Sequence, residues 1–152
     1  MVRSHNSKTN EMFDTNGVSF GQNNDMKPNG FWYGIDGEWR DWCEVNMPEF
    51  LGEYDYTVEV DLDKIYVIRN SIQLVAFCEL YGYDNEDISG MRMIDWRKLS
   101  EKYSGIEIRN YHEIKIDLGF SFYADIGLWV SAWDVSSGCI WDMEAVTNIE
   151  KV

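Results

Sequence analysis

Two histidines are the side chains of this chain that titrate near neutral pH without help from their surroundings. His5 lies in VRSHNS, which we expect to form the first strand, and His112 lies in RNYHEI beside Glu113. The sequence around them shows no paired nucleophile and base of the kind that hydrolase triads need. His5 is therefore the stronger candidate for a catalytic or ligand role, with a structural histidine as the alternative.

The stretch WDVSSGCIWD, residues 133–142, contains two Trp, two Asp, two Ser, a Gly and a Cys within ten residues. Its segment 134–138 has the composition of a turn, in which Asp and Ser side chains accept hydrogen bonds from backbone N–H groups and Gly138 adopts a positive φ. A strand over 139–141 and a helix cap at Asp142 account for the rest. Only Trp133 has no structural partner that the sequence predicts.

Three consecutive aromatic residues, Phe31, Trp32 and Tyr33, follow the turn residues KPNG. In a strand, side chains alternate between the two faces, so Trp32 must face away from the other two. Either helices cover both faces and all three rings are core, or the less buried ring is a stacking platform for a base or a nicotinamide.

Neither the acidic residues nor the cysteines indicate a metal site. The pair Asp61 and Asp63, and the cluster Asp84, Glu86 and Asp87, lack the Gly and the distal Glu of an EF-hand loop. Solvated acidic loops, one of them over 83–90, are the simpler interpretation. The three cysteines have no CxxC spacing and are expected to be reduced thiols. The phosphate-binding motifs of P-loop and Rossmann proteins are absent as well.

The formal net charge is −14 on 152 residues, a length that fits a single domain over 1–152. Such a charge argues against direct binding of nucleic acid or anionic lipid. It leaves two interpretations, a surface that keeps the protein soluble or a surface that meets a basic protein partner. No apolar run approaches the ~20 residues of a membrane helix and the first 30 residues are polar, so we expect no membrane segment and a cytoplasmic protein.

The elements that must position these residues are expected to form an α+β domain. Alternation in YDYTVEVD and the β-branched run KIYVI predict two strands, and Asn70 can cap a helix over 71–81. A short helix is expected in EWRDWCEVNM and another after Asp95. IEIRNY is predicted as a strand, and HEIKIDL, FSFYAD, GLWVSAW and GCIW predict three or four more, with a short final helix from Met143. The sheet would be mostly antiparallel.

Five motifs together resemble a family of small, mostly uncharacterised bacterial and phage proteins. The matching stretches are KPNGFW at 27–32, WC at 42–43, IDW at 94–96, GIEI at 105–108 and WDVSSGCIW at 133–141. The family pattern begins KPxGLWxS and ends GWDxxSGCIW. Gly34 stands where that family usually has Ser, so a hydroxyl is missing at this position.

The arrangement of that family is similar to a compact ADP-ribosyltransferase domain with a strongly bent, split sheet. The resemblance implies that NAD is a substrate whose ribose is held by His5, or by Arg3 as the alternate. It implies a ring at Trp32 or Tyr33 against the nicotinamide, and a late catalytic acid at Asp134 or Glu144. Two further positions of the last motif, Trp133 and Ser137, are expected to contact the cofactor.

Two functions follow as hypotheses. The first is an NAD-binding ADP-ribosyltransferase-like enzyme that modifies a macromolecular target. The second is a non-enzymatic, phage-type acidic inhibitor that binds a basic surface of a host protein, which would place it in the host cytoplasm.

Overall fold

A seven-stranded, strongly curled sheet organises the chain in a computed structural model that describes residues 1–87 and 91–152. The strands are β1 Arg3–Ser7, β2 Phe31–Ile35, β3 Tyr54–Val60, β4 Ile65–Ile68, β7 Gly105–Ile108, β8 Ser137–Ile140 and β9 Val146–Lys151. Their order is β4-β7-β8-β2-β1-β3-β9, and only the β4–β7 pair is parallel. A hairpin of β5 Gly82–Asp84 and β6 Arg92–Ile94 lies apart from this sheet. The predicted α+β class with a mostly antiparallel sheet is confirmed.

Helices lie mainly against one face of the large sheet. They are α1 Glu38–Asn46, α2 Ser71–Tyr81, α3 Trp96–Ser100, α4 Tyr111–Leu118 and α5 Leu128–Ser131, with a π-helical turn at Phe122–Ile126 and 3-10 turns at Pro48–Phe50, Leu62–Lys64 and Met143–Ala145. Helices α2 to α5 bury the larger core against this helix-covered face. The opposite, loop-covered face carries a smaller core against which Phe13 and Val18 pack. Within the described residues, no helix combines the length and apolarity needed to cross a bilayer.

Local signals at helix starts were reliable. The predicted helix over 71–81 is α2, and the Asn70 side chain accepts a hydrogen bond from the Gln73 amide at 2.9 Å, as a cap should. Asp95 caps α3 in the same way through the Lys98 amide.

Three predicted strands are wrong. HEIKIDL belongs to α4, and FSFYAD and GLWVSAW fall on the π-helical turn and α5. In HEIKIDL the apolar residues also fit a helix, since Ile114 is buried with Tyr111 three residues earlier while Ile116 is 81% exposed.

The chain after Asp134 also differs from the predicted turn. The left-handed residue is Asp134, with φ 68°, whereas Gly138 lies inside β8. Gly138 is needed because a Cβ there would lie 2.3 Å from Cζ of Tyr33, whose ring crosses it. The final helix is a single 3-10 turn at Met143–Ala145, capped by Asp142 as expected, and the chain continues into the unpredicted strand β9.

The acidic loop predicted for 83–90 is only partly within the described residues. Its first residues form β5, and 88–90 lie outside the described part of the chain.

Candidate binding cleft

A cleft of about 500 Å³ opens on the helix-covered face where β1, β2 and β8 meet. Its floor is formed by Ser4, Trp32, Gly34 and Ser137. Ser4 pairs with Gly34 and Gly34 pairs with Ser137, so the floor crosses three neighbouring strands in register. Both serines that flank this glycine line the cleft, although Ser137 is only 6% exposed.

Tryptophan rings form the walls. Trp133 meets Trp32 edge to face, with ring centroids 4.9 Å apart, and stacks on the buried Trp96 at 6.3 Å. On the other side Trp39 stacks on Trp42 at 5.4 Å. Because Trp133 is only 2% exposed and anchored in the core, this wall is rigid.

The Trp133–Val135 wall is held by hydrogen bonds from two helices. The Ser136 amide donates to Oε2 of Glu38 on α1 at 2.8 Å, and the Ser136 hydroxyl accepts from the Tyr111 amide at the start of α4. The cleft is therefore preformed, which reduces the ordering cost of binding.

Gly34 allows α1 to pack over the cleft floor. A Cβ at position 34 would lie 2.8 Å from Cβ of Trp39. We expect Gly34→Ala to lower the free energy of unfolding by about 1–3 kcal/mol, because the helix must move away. Urea denaturation would measure this loss of unfolding free energy. Gly21→Ala is the control, since a Cβ at Gly21 meets nothing within 4 Å. Equal midpoints for the two variants would contradict this packing.

The charges at the cleft contrast with the charge of the chain. Lys8 and Lys27 are among its lining residues, and no described lining residue is Asp or Glu. The Lys27 ammonium lies 5.6 Å from the ring centroid of Trp32. A protein with a net charge of −14 thus carries a locally cationic, aromatic cleft.

Three predicted site residues meet in this cleft: Trp32, Trp133 and Ser137. His5 and Tyr33 border it, but their side chains point to the loop-covered face. The His5 ring packs on Phe31 at 4.5 Å. Its Nδ1 lies 2.7 Å from the carbonyl oxygen of Trp32 and must donate, since a carbonyl only accepts. His5 thus supports the backbone beneath Trp32.

Arg3 is engaged elsewhere, in a buried network around Glu107. Glu107 is fully buried and accepts from Arg3 Nε at 2.7 Å, Tyr33 Oη at 2.6 Å and Arg109 Nε at 2.6 Å. Burial alone raises the pKa of the Glu107 carboxyl, but these hydrogen bonds and the charge of Arg3 outweigh it and hold the pKa below 4.5. Burial and the neighbouring carboxylate raise the pKa of Tyr33, so its hydroxyl stays a donor.

The two candidate catalytic acids lie in different places. Asp134 is half-buried between two lining residues, Trp133 and Val135, without itself lining the cleft. Glu144 is exposed on the 3-10 turn and does not line it. The described residues contain no group of three or more His, Cys, Asp or Glu side chains placed to hold a metal ion.

Sequence reasoning missed the lysines of the cleft and the acid at the centre of the network. Lys27 stands in KPNG directly before β2, so its position at the rim could have been inferred from that turn. Glu107 stands between Ile106 and Ile108 in an apolar strand, which is the sequence signal of a buried carboxylate that needs partners.

No family model, curated protein or solved structure matches the chain. The function is therefore inferred from the chemistry of the cleft: planar rings for stacking, hydroxyls for hydrogen bonds and ammonium groups for an anion.

Proposed function

We propose that the cleft binds an anionic ligand with a planar aromatic ring, of the nucleotide class, and that NAD serves there as donor for ADP-ribosyl transfer to a macromolecule. The observation that carries this proposal is the pairing of Lys8 and Lys27 with tryptophan rings in an otherwise acidic protein. Phosphate would lie near the two ammonium groups, and the base or nicotinamide would stack against Trp32 or Trp39.

The floor offers hydrogen bonds for a ribose. The Ser137 hydroxyl donates to the Val135 carbonyl at 3.1 Å and keeps lone pairs that can accept from a sugar hydroxyl. Ser4 lies two strands away in the same row.

Transfer would require a carboxylate near the ribose. As the bond between C1′ and the nicotinamide nitrogen breaks, its electron pair leaves with nicotinamide and positive charge develops on the ribose. A carboxylate that hydrogen-bonds a ribose hydroxyl stabilises this charge in the transition state. The acceptor then attacks C1′ and gives its proton to solvent or a base. Asp134, between two lining residues, is the candidate for this carboxylate.

Calorimetric titration with four compounds tests the binding step. AMP and NAD should bind, whereas adenosine, which lacks the phosphate, and inorganic phosphate, which lacks the ring, should bind at least ten times more weakly. Equal affinity for adenosine and AMP would contradict the role of the lysines. The absence of heat and of thermal protection with both AMP and NAD would end the proposal.

Nicotinamide release tests the transfer step separately. We expect the wild type to release nicotinamide from NAD slowly. In Asp134→Asn the release rate should be about 10²- to 10³-fold lower, the usual effect of losing one group that stabilises charge in the transition state. Glu144→Gln should behave as the wild type. If NAD binds but no nicotinamide appears over hours, the protein is a nucleotide-binding protein without transferase activity.

A further inference from the structure

Helix α2 is apolar on its outer side as well as its inner side. Its buried residues are Leu74, Phe77, Cys78 and Tyr81. The outer stripe, defined as Ile72, Val75, Ala76 and Leu80, faces solvent, with Ile72 79% and Leu80 59% exposed. These four positions span less than half the circumference at 100° per residue, so they form one face. A helix that is apolar all round is normally covered on all sides.

The outer stripe continues toward α4. The Ser71 hydroxyl hydrogen-bonds to Oδ2 of Asp117, which joins the start of α2 to α4. Ile116, next to Asp117, is 81% exposed and lines the groove between the two helices together with Ser71. The surface thus presents exposed aliphatic side chains from two helices, with a groove at the Ile116 end.

Acidic side chains lie within this apolar surface and on its α4 side. Glu79 lies within the stripe on α2, and Glu113 and Asp117 lie on the exposed side of α4. The nearby cations are Arg69 before α2 and Lys98, whose ammonium already donates to the Leu80 carbonyl at 3.2 Å.

The charge restricts what can cover the stripe. A second copy would bring another net charge of −14, and nucleic acid or an anionic bilayer would add phosphates to a negative surface. A helix with one apolar face and flanking Lys or Arg matches the apolar stripe, the carboxylates of Glu79, Glu113 and Asp117, and the net charge of the protein. We propose that the outer stripe of α2 docks a cationic amphipathic helix of a protein partner. This site is independent of the ligand cleft and gives the acidic-inhibitor hypothesis a defined surface.

Fluorescence anisotropy with two labelled peptides tests the proposal on the full chain at about 0.15 M ionic strength, where long-range attraction is screened. One peptide is an amphipathic helix of Leu and Lys, and the other has the same composition in scrambled order. We expect the amphipathic peptide to bind at least ten times more tightly than the scrambled one.

Two variants locate the binding. The double variant Ile72→Asn and Leu80→Asn should reduce binding of the amphipathic peptide to the level of the scrambled one. Val45→Asn, which changes an 83% exposed residue on α1, should leave it unchanged. Both replaced residues of the stripe are on the surface, and circular dichroism would verify that the variants are folded.

Three results would overturn the proposal. They are equal binding of the two peptides, unchanged binding by the double variant, and a wild-type dimer in sedimentation that the double variant converts to monomer. The last result would identify a second copy as the occupant.

Discussion

Replacing Glu107 by Gln is expected to lower the free energy of unfolding by about 3–5 kcal/mol at neutral pH, the usual effect of breaking a buried ion pair by removing one partner. The substitution conserves shape but removes the charge that Arg3 and Arg109 share. The two arginine side chains are only 13% and 16% exposed, so water can compensate little of the lost charge. The new amide would also direct N–H groups at other donors.

Urea denaturation of the variant and of Tyr33→Phe measures this effect. Tyr33→Phe removes one hydrogen bond of 2.6 Å to the carboxylate and leaves both ion pairs, so we expect the smaller loss of about 1.5–3 kcal/mol. A larger loss in Tyr33→Phe than in Glu107→Gln would contradict the assignment of Glu107 as the centre of the network.

The same network predicts a pH dependence. The pKa of Glu107 in the folded protein lies below its ordinary value of 4.5. As the pH falls, this carboxyl therefore takes up a proton in the unfolded chain before it does so in the folded chain. The stabilisation is therefore complete above 4.5 and decreases as the pH falls through the folded pKa. The difference in unfolding free energy between wild type and Glu107→Gln should shrink over this acidic range and stay constant from pH 6 to pH 8.

The second large effect concerns the ligand cleft. We expect Trp32→Leu to weaken AMP binding roughly 5- to 150-fold, equivalent to the about 1–3 kcal/mol that stacking of one base contributes. Leucine keeps an apolar contact with Trp133 but provides no plane for a base. Lys27→Gln should weaken AMP binding while leaving the weak binding of adenosine unchanged.

Lys102→Gln is a matched control for Lys27→Gln. The Lys102 ammonium lies 5.6 Å from the ring centroid of Tyr103, the same distance as between Lys27 and Trp32, but Lys102 does not line the cleft. Each variant removes one positive charge from the protein. If both weakened AMP binding equally, the effect would be one of overall charge, and Lys27 would have no local role.

The sequence predicted well what short-range signals determine. The cap at Asn70, the alternation in β3 and the turn before β2 were each read from a few neighbouring residues. It failed where helix and strand patterns coincide, as in HEIKIDL, because only packing against α2 and the larger core decides which apolar residues are buried.

The candidate site was predicted in part for a related reason. The aromatic residues Trp32 and Trp133 and the hydroxyl of Ser137 were identified from type and position and lie in one cleft. The face of the sheet on which the His5 side chain lies depends on the register of β1 against β2 and β3. This register pairs His5 with Tyr56 and turns the His5 side chain away from the Trp32 ring. Register is a long-range property that a single strand sequence does not specify.

The most direct test of the cleft is a ¹H–¹⁵N correlation spectrum of the tryptophan indole groups during titration with AMP. The chain has seven tryptophans. The indole signals of Trp32 and Trp39 should shift progressively and saturate, because these rings line the cleft. The signal of Trp129, which is fully buried and donates to the Ile126 carbonyl, should stay in place. The assignment of this cleft as the ligand site would be contradicted if other indole signals shifted and saturated while those of Trp32 and Trp39 stayed in place. It would also be contradicted if no indole signal shifted at all.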